Sequence, residues 1–155
     1  MNLKILNKNE KEEITNKLKA QFGITEIPGE IIMRGKERMF LFSGNFNKNQ
    51  IRILENLAPI ERIGVYFAKR VENIDEVRLS IEGTHIFKDQ IKKNIFELNE
   101  NQVEQWMKGQ ELPIKTGKKG FLAMKYKENF LGTGKASEEK IGNFIPKNRR
   151  LKEKN

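Results

Sequence analysis

Apolar positions near the start of the chain recur at helical spacing. Ile14 and Leu18 lie four apart, Phe22 continues the stripe, and Glu, Lys and Asn fill the gaps. The spacing predicts an amphipathic helix over residues 8–21. Asn7 or Asn9 can cap its start, and Gly23 stands where a helix stops. A hairpin follows: Ile31, Ile32 and Met33 form one strand, Arg34-Gly35-Lys36 turns, and residues 39–42 return. Asn47 opens a second helical pattern with Ile51, Leu54 and Leu57 on one face, ended by Pro59. Residues 62–69 are apolar, β-branched and aromatic and read as a strand. Residues 76–81 alternate, with Val77, Leu79 and Ile81 on one face, and read as another. This half is a small α/β unit.

The pattern changes further on. Residues 93–98 read as a strand, and Asn99 then begins a short helix. Asn99 followed by Gln102 has the spacing of a capping box, and Val103, Trp106 and Met107 make an apolar face that Gly109 ends. Residues 111–115 suit a short edge strand because they contain Pro113. Residues 120–127 and 130–136 form two strands joined by a tight Glu128-Asn129 turn, and residues 141–145 form the last. Short strands around one short helix suggest a small barrel. The joint between the halves falls near residues 83–90. The fold class is therefore α+β in two domains, residues 1–84 and residues 85–155.

Charge sharpens this picture. The 155 residues hold 30 Lys and Arg against 21 Asp and Glu, a net charge of +9. The excess is +3 through Asp75 and +6 from Glu76 onward. Lysine also decorates the surfaces of heat-adapted proteins, but so strong an excess favours a polyanionic partner. The absence of Cys removes disulfides, thiolate zinc sites and cysteine nucleophiles. A single His removes His-pair catalysis. No apolar run spans a bilayer and no signal peptide opens the chain, so a cytoplasmic protein without membrane association is expected.

Candidate chemistry is sparse. Gly132-Thr133-Gly134-Lys135 invites a phosphate-loop reading, but the positions that need Gly and Ser or Thr hold Asn129 and Ala136. The segment also lies in a strand pattern, where its glycines serve a twist, a bulge or a close backbone approach. Glu12-Glu13 and Glu138-Glu139 are exposed neighbours. Asp75, Glu76 and Asp89 lack metal-ligand spacing. His85 is a packing or hydrogen-bonding histidine. No catalytic residue, metal site or cofactor is expected.

What remains is a constellation for RNA. Lys125 and Lys127 alternate along one strand and so share a face, and the tight turn should bring them close to Thr133 and Lys135. Lys147, Arg149 and Arg150 follow Pro146, which stiffens the turn that aims them. Clustered ammonium and guanidinium groups neutralise phosphates, and arginine stacks on bases. Tyr126, Phe130 and Phe144 can stack bases but read first as core residues, and Trp106 reads as the core anchor of its helix.

From Ile95 to Leu151 these residues resemble a PUA domain, the pseudo-barrel RNA-binding module. NIFELNENQVEQWMKGQEL, GFLAMKYKENFLGTGKAS and IGNFIPKNRRL carry the likeness. Upstream, RIGVYFAK and VRLSIEGTHIF resemble the pre-PUA domain of ribosome-biogenesis proteins that act on the large subunit. The tail FIPKNRRL is similar to the C-terminal PUA region of archaeal Sun-family RNA cytosine-5 methyltransferases, whose catalytic cysteines this chain lacks. The resemblance implies an N-terminal pre-PUA-like α/β domain followed by a PUA pseudo-β-barrel. It implies a groove for structured rRNA or tRNA holding Gly132, Thr133, Gly134, Lys135, Arg149 and Arg150; charge adds Lys125, Lys127 and Lys147. The helix of this module is acidic here (Glu97, Glu100, Glu104), which moves the expected RNA contact to the C-terminal side. The competing expectation is an accessory subunit that docks an RNA methyltransferase or ribosome assembly factor through exposed apolar residues such as Met39 and Phe46.

Overall fold

A computed structural model describes residues 3–43, 49–50 and 64–152. Of the helical pattern from Asn47 to Pro59 only residues 49–50 are described; its apolar face (Ile51, Leu54, Leu57) and Phe46 lie outside the described residues. The first sheet has five antiparallel strands in sequence order: β1 (Leu3–Ile5), β2 (Glu30–Arg34), β3 (Arg38–Phe42), β4 (Val65–Val71) and β5 (Glu76–Leu79). Helix α1 (Lys8–Phe22) lies on one face. Asn7 caps it in a full capping box with Glu10, and Gly23 closes it in the left-handed conformation, φ 83°. Its Ile14, Leu18 and Phe22 are buried against Ile31, Met33, Phe67 and Val77 of the strands. Met39 belongs to this core and has no exposed surface, so it is not a docking residue. Alternation along β3 explains this: Met39 faces α1 while Arg38 and Phe40 lie on the opposite face, where Phe40 is buried in a separate cluster.

The expected strand over residues 76–81 stops at Leu79. Ser80 caps a short helix instead, α2 (Ile81–Ile86), its hydroxyl accepting from Gly83 N–H at 3.0 Å and donating to Tyr66 O at 2.8 Å. A serine that satisfies two backbone groups outweighs the alternation that had placed Ile81 on the strand.

The second sheet runs β6 (Ile95–Glu97), β7 (Gly120–Tyr126), β8 (Asn129–Ala136) and β9 (Ile141–Gly142), with β6 parallel to β7 and the other pairs antiparallel. Helix α3 (Glu100–Met107) has the expected Asn99–Gln102 capping box. The edge segment around Pro113 reduces to one bridge, Leu112 to Ile141. The last strand ends early because Asn143 turns the chain. Its side-chain oxygen accepts from Ile145 N–H, and its amide nitrogen donates to the carbonyls of Trp106 and Gln110.

Strand β7 is apolar on both faces because it is buried on both. Phe121 and Ala123 join Phe130 in the core of the five-stranded sheet, while Leu122 and Met124 pack with Trp106, Ile141 and Ile145. Ile81 belongs to this second cluster, so apolar contacts run in both directions across the seam.

Candidate nucleic-acid interface

The two sheets meet where β5 and α2 press on β8. Thr133 Oγ1 donates to Leu79 O at 2.9 Å, and Gly132 N–H donates to Thr84 Oγ1 at 3.1 Å. His85 Nε2 lies 2.7 Å from Phe130 O. A carbonyl only accepts, so Nε2 carries the proton in that bond. Along this seam lies a crevice of about 90 Å³ lined by Tyr66, Arg78, Gly132, Thr133, Phe144 and Pro146. A shallower hollow of about 290 Å³ adjoins it at Tyr66, Glu82 and Pro146 and extends to Arg149. The crevice is far below the volume of a small-molecule site, roughly 300–1,000 Å³ with most of the ligand buried, and the hollow, near the lower bound, is open to solvent. The seam is therefore suited to surface recognition.

The nine residues expected at an RNA groove fall into four places. Lys125 and Lys127 lie at the β7–β8 hairpin end, their ammonium groups 5.4 Å and 5.3 Å from the ring centroids of Phe130 and Tyr126. The turn is Lys127-Glu128, one residue earlier than expected, with Lys127 at φ 53°. Lys125 pairs with Phe130, while Phe121 pairs with Lys135. Lys135 is thus five residues along β8, roughly 17 Å from the position facing Lys125, and the two ends do not meet.

Gly132, Thr133 and Gly134 are buried between them. Between the pairs Ala123–Thr133 and Lys125–Phe130, β8 carries one residue more than β7, a bulge that Gly132 accommodates at φ 79°. A Cβ on Gly134 would stand 2.5 Å from Ile141 Cγ2 and 2.8 Å from Trp106 Cη2, so the glycine makes room for the tryptophan.

The tail forms the fourth group. Lys147 and Arg149 are exposed on a single 3₁₀ turn (Lys147–Arg149). Arg149 forms an ion pair with Glu82. Arg150 folds back over Gly109, where its Nε donates to Ile145 O at 2.9 Å. Leu151 N–H donates to Met107 O, which fastens the tail to the end of α3.

Phe144 departs from its expected place in the core. It is 38% exposed, its ring tilted against Phe121 at 6.1 Å, with the Arg78 guanidinium 4.3 Å from its centroid. Asn143 explains this, because the turn that ends β9 swings the next side chain off the sheet. An aromatic ring, a guanidinium and Lys135, which lies opposite Phe121, make a cationic and aromatic surface at the mouth of the seam. Sequence reasoning missed Arg78, whose only signal is its outward position in the alternation of residues 76–79.

Two carboxylates temper this surface. Glu82 is partly buried, which raises its pKa, but the bond and charge of Arg149 outweigh burial and hold it below the usual range. Glu76 shows the opposite balance. Burial pushes its carboxyl up, against the Phe121 N–H and the Lys135 charge, and its Oε2 is buried without a partner. The folded state therefore holds this proton more tightly than the unfolded chain. The resulting stability is present below the unfolded value and is lost as pH rises through the raised one. Glu76→Gln is expected to stabilise the protein at pH 7, with no gain near pH 4. Urea titrations at both pH values check this, and a loss of stability at pH 7 would count against it.

Among the described residues no group of three or more His, Asp or Glu could hold a metal ion. Nor is any helix there long and apolar enough to cross a membrane. Residues 93–151 match the family model described as the methyltransferase RsmF PUA domain. That stretch contains β6 through β9, α3 and the tail. A comparison with curated proteins finds no match.

Proposed function

Because this is a PUA-domain protein, related to the C-terminal regions of Sun-family methyltransferases, we propose that it binds structured rRNA or tRNA. It does so in ribosome biogenesis or RNA modification and performs no reaction itself. The first half serves as a pre-PUA-like domain over residues 1–84, and residues 85–155 carry the RNA surface. The observation that carries this reading is the cationic and aromatic surface beside the seam, whose Lys135 and Phe144 lie in the stretch that matches the PUA model and whose Arg78 comes from the neighbouring sheet. Exposed Lys135, Lys147 and Arg149 supply phosphate contacts, and the Arg78 guanidinium over the Phe144 ring offers a plane on which a base can stack. Lys125 and Lys127 form a second contact at the hairpin end. Gly132, Thr133 and Gly134 shape the strand beneath, and Arg150 fixes the tail that presents Arg149.

The test is a binding titration of the full chain with labelled tRNA. Replacing Lys125, Lys127, Lys135 and Lys147 together by Ala should weaken binding by at least tenfold. The slope of log affinity against log salt should become shallower by about 3, since each phosphate no longer neutralised removes about 0.7–0.9 from it. Wild-type affinity indifferent to salt between roughly 50 and 200 mM would sink the reading. The accessory role, docking an RNA methyltransferase or assembly factor, is compatible with this surface and adds a protein partner to it.

A further inference from the structure

The register of the five-stranded sheet aligns cations across strands. Arg34 of β2 lies opposite Arg38 of β3, Arg38 opposite Lys69 of β4, and Lys69 opposite Arg78 of β5. Four neighbouring strands each present a basic residue at one level. The row lies on the face away from α1, because Arg34 and Arg38 sit two residues from Ile32 and Phe40, which form a cluster separate from the α1 core. Arg38 is exposed, and Arg34, Lys69 and Arg78 are partly exposed. At about 4.8 Å between strands the row spans roughly 14 Å.

Like charges placed directly opposite each other destabilise a sheet. Here three consecutive pairings are of that kind. Glu37 meets the row at Lys69, Oε2 to Nζ 3.1 Å, with Lys69 31% exposed. The row ends at Arg78, the residue whose guanidinium covers Phe144 at the mouth of the seam. It is therefore continuous with the cationic and aromatic surface of the C-terminal half.

We propose that Arg34, Arg38, Lys69 and Arg78 form a phosphate track that extends the RNA interface from the PUA domain across the N-terminal sheet. This rests on the RNA-binding reading above and adds a second surface to it. A duplex strand carries one phosphate per about 3.4 Å of axis, so a row of this length faces about four. An acidic protein would match the charge equally well. RNA is the better fit because the row ends in the Arg78–Phe144 pair, whose guanidinium plane can stack on bases.

The experiment compares the full chain with the double variant Arg38→Gln, Lys69→Gln, using labelled tRNA as the probe over roughly 50–200 mM salt. The expected result is about tenfold weaker binding and a salt slope shallower by about 1.4–1.8, two phosphates at 0.7–0.9 each. The melting temperature should be unchanged or raised, since a repulsive pairing is relieved. If the double variant does not fold, Arg38→Gln alone should give half the change in slope. A folded variant with wild-type affinity and slope overturns the track and leaves the PUA reading standing. A wild-type chain that does not bind the tRNA overturns both. Poly-L-glutamate displacing the probe as well as unlabelled tRNA at equal charge overturns the RNA assignment in favour of an acidic protein.

Discussion

Gly83→Ala is expected to destabilise the protein by about 2 kcal/mol or more, although it places the best helix former inside a helix. An alanine there gains about 1 kcal/mol of helix propensity. Its Cβ, however, would stand 2.1 Å from Phe67 O and 3.1 Å from the carbonyl carbon. A flexible side chain could yield to such a clash, but this neighbour is backbone in the middle of β4. The same carbonyl accepts Ser80 N–H at 2.9 Å, so moving it away also pulls on the cap of α2. Overpacking of this kind costs about 1–3 kcal/mol, and more when nothing can relax. The clash therefore wins over propensity. Chemical denaturation at pH 7 measures the difference, and a variant as stable as the wild type would show that α2 can lift off the sheet without penalty.

Trp106→Ala should cost about 3–5 kcal/mol, enough to remove much of the stability of a protein this size. Trp106 is fully buried and central to the second core cluster. Its indole N–H donates to Leu131 O at 2.9 Å, beside the bulge of β8. Its ring fills the space left by Gly134, and its own carbonyl accepts from Asn143, the residue that turns the tail. Truncation leaves a large cavity and an unpaired Leu131 carbonyl together. Trp106→Phe keeps most of the volume and loses the bond, so a cost of about 1–2 kcal/mol separates the two contributions. Thermal melts of both variants decide it, and an alanine variant within about 1 kcal/mol of wild type would contradict the central place given to this residue.

Much of the local structure was legible because it is set by neighbours in sequence. Both asparagine caps announce themselves by an acceptor at N-cap and a Glu or Gln three residues on, and both form complete boxes. The first hairpin follows from its turn residues and flanking apolar runs. His85 finds a backbone partner, as a lone histidine usually does. Where the reading failed, long-range packing decided the matter. Residues 76–81 alternate throughout, yet Ser80 has Tyr66 O to bond and ends the strand there. Lys125 and Lys135 are close in sequence terms, but the one-residue bulge at Gly132 and the antiparallel register send them to opposite ends. Arg149 and Arg150 read as a free basic tail, whereas Glu82 and Ile145 O hold them to the body of the protein. The row of four cations is hidden along the chain because its two halves, Arg34 with Arg38 and Lys69 with Arg78, are joined only by the pairing of β3 with β4. The charge excess was legible, and folding determined where that charge is presented.

The bond from Thr133 to Leu79 spans 54 positions, and Phe121, Ala123 and Phe130 complete the core that α1 begins. During synthesis at about 5–20 residues per second, the ribosome makes Leu79 some 3–11 seconds before its partner. For that interval the nascent sheet shows an uncovered greasy flank to water or to whatever chaperone waits at the exit tunnel. Slow codons or a premature stop within that window would leave a sticky fragment, and the growing chain becomes safe only once its eighth strand has emerged.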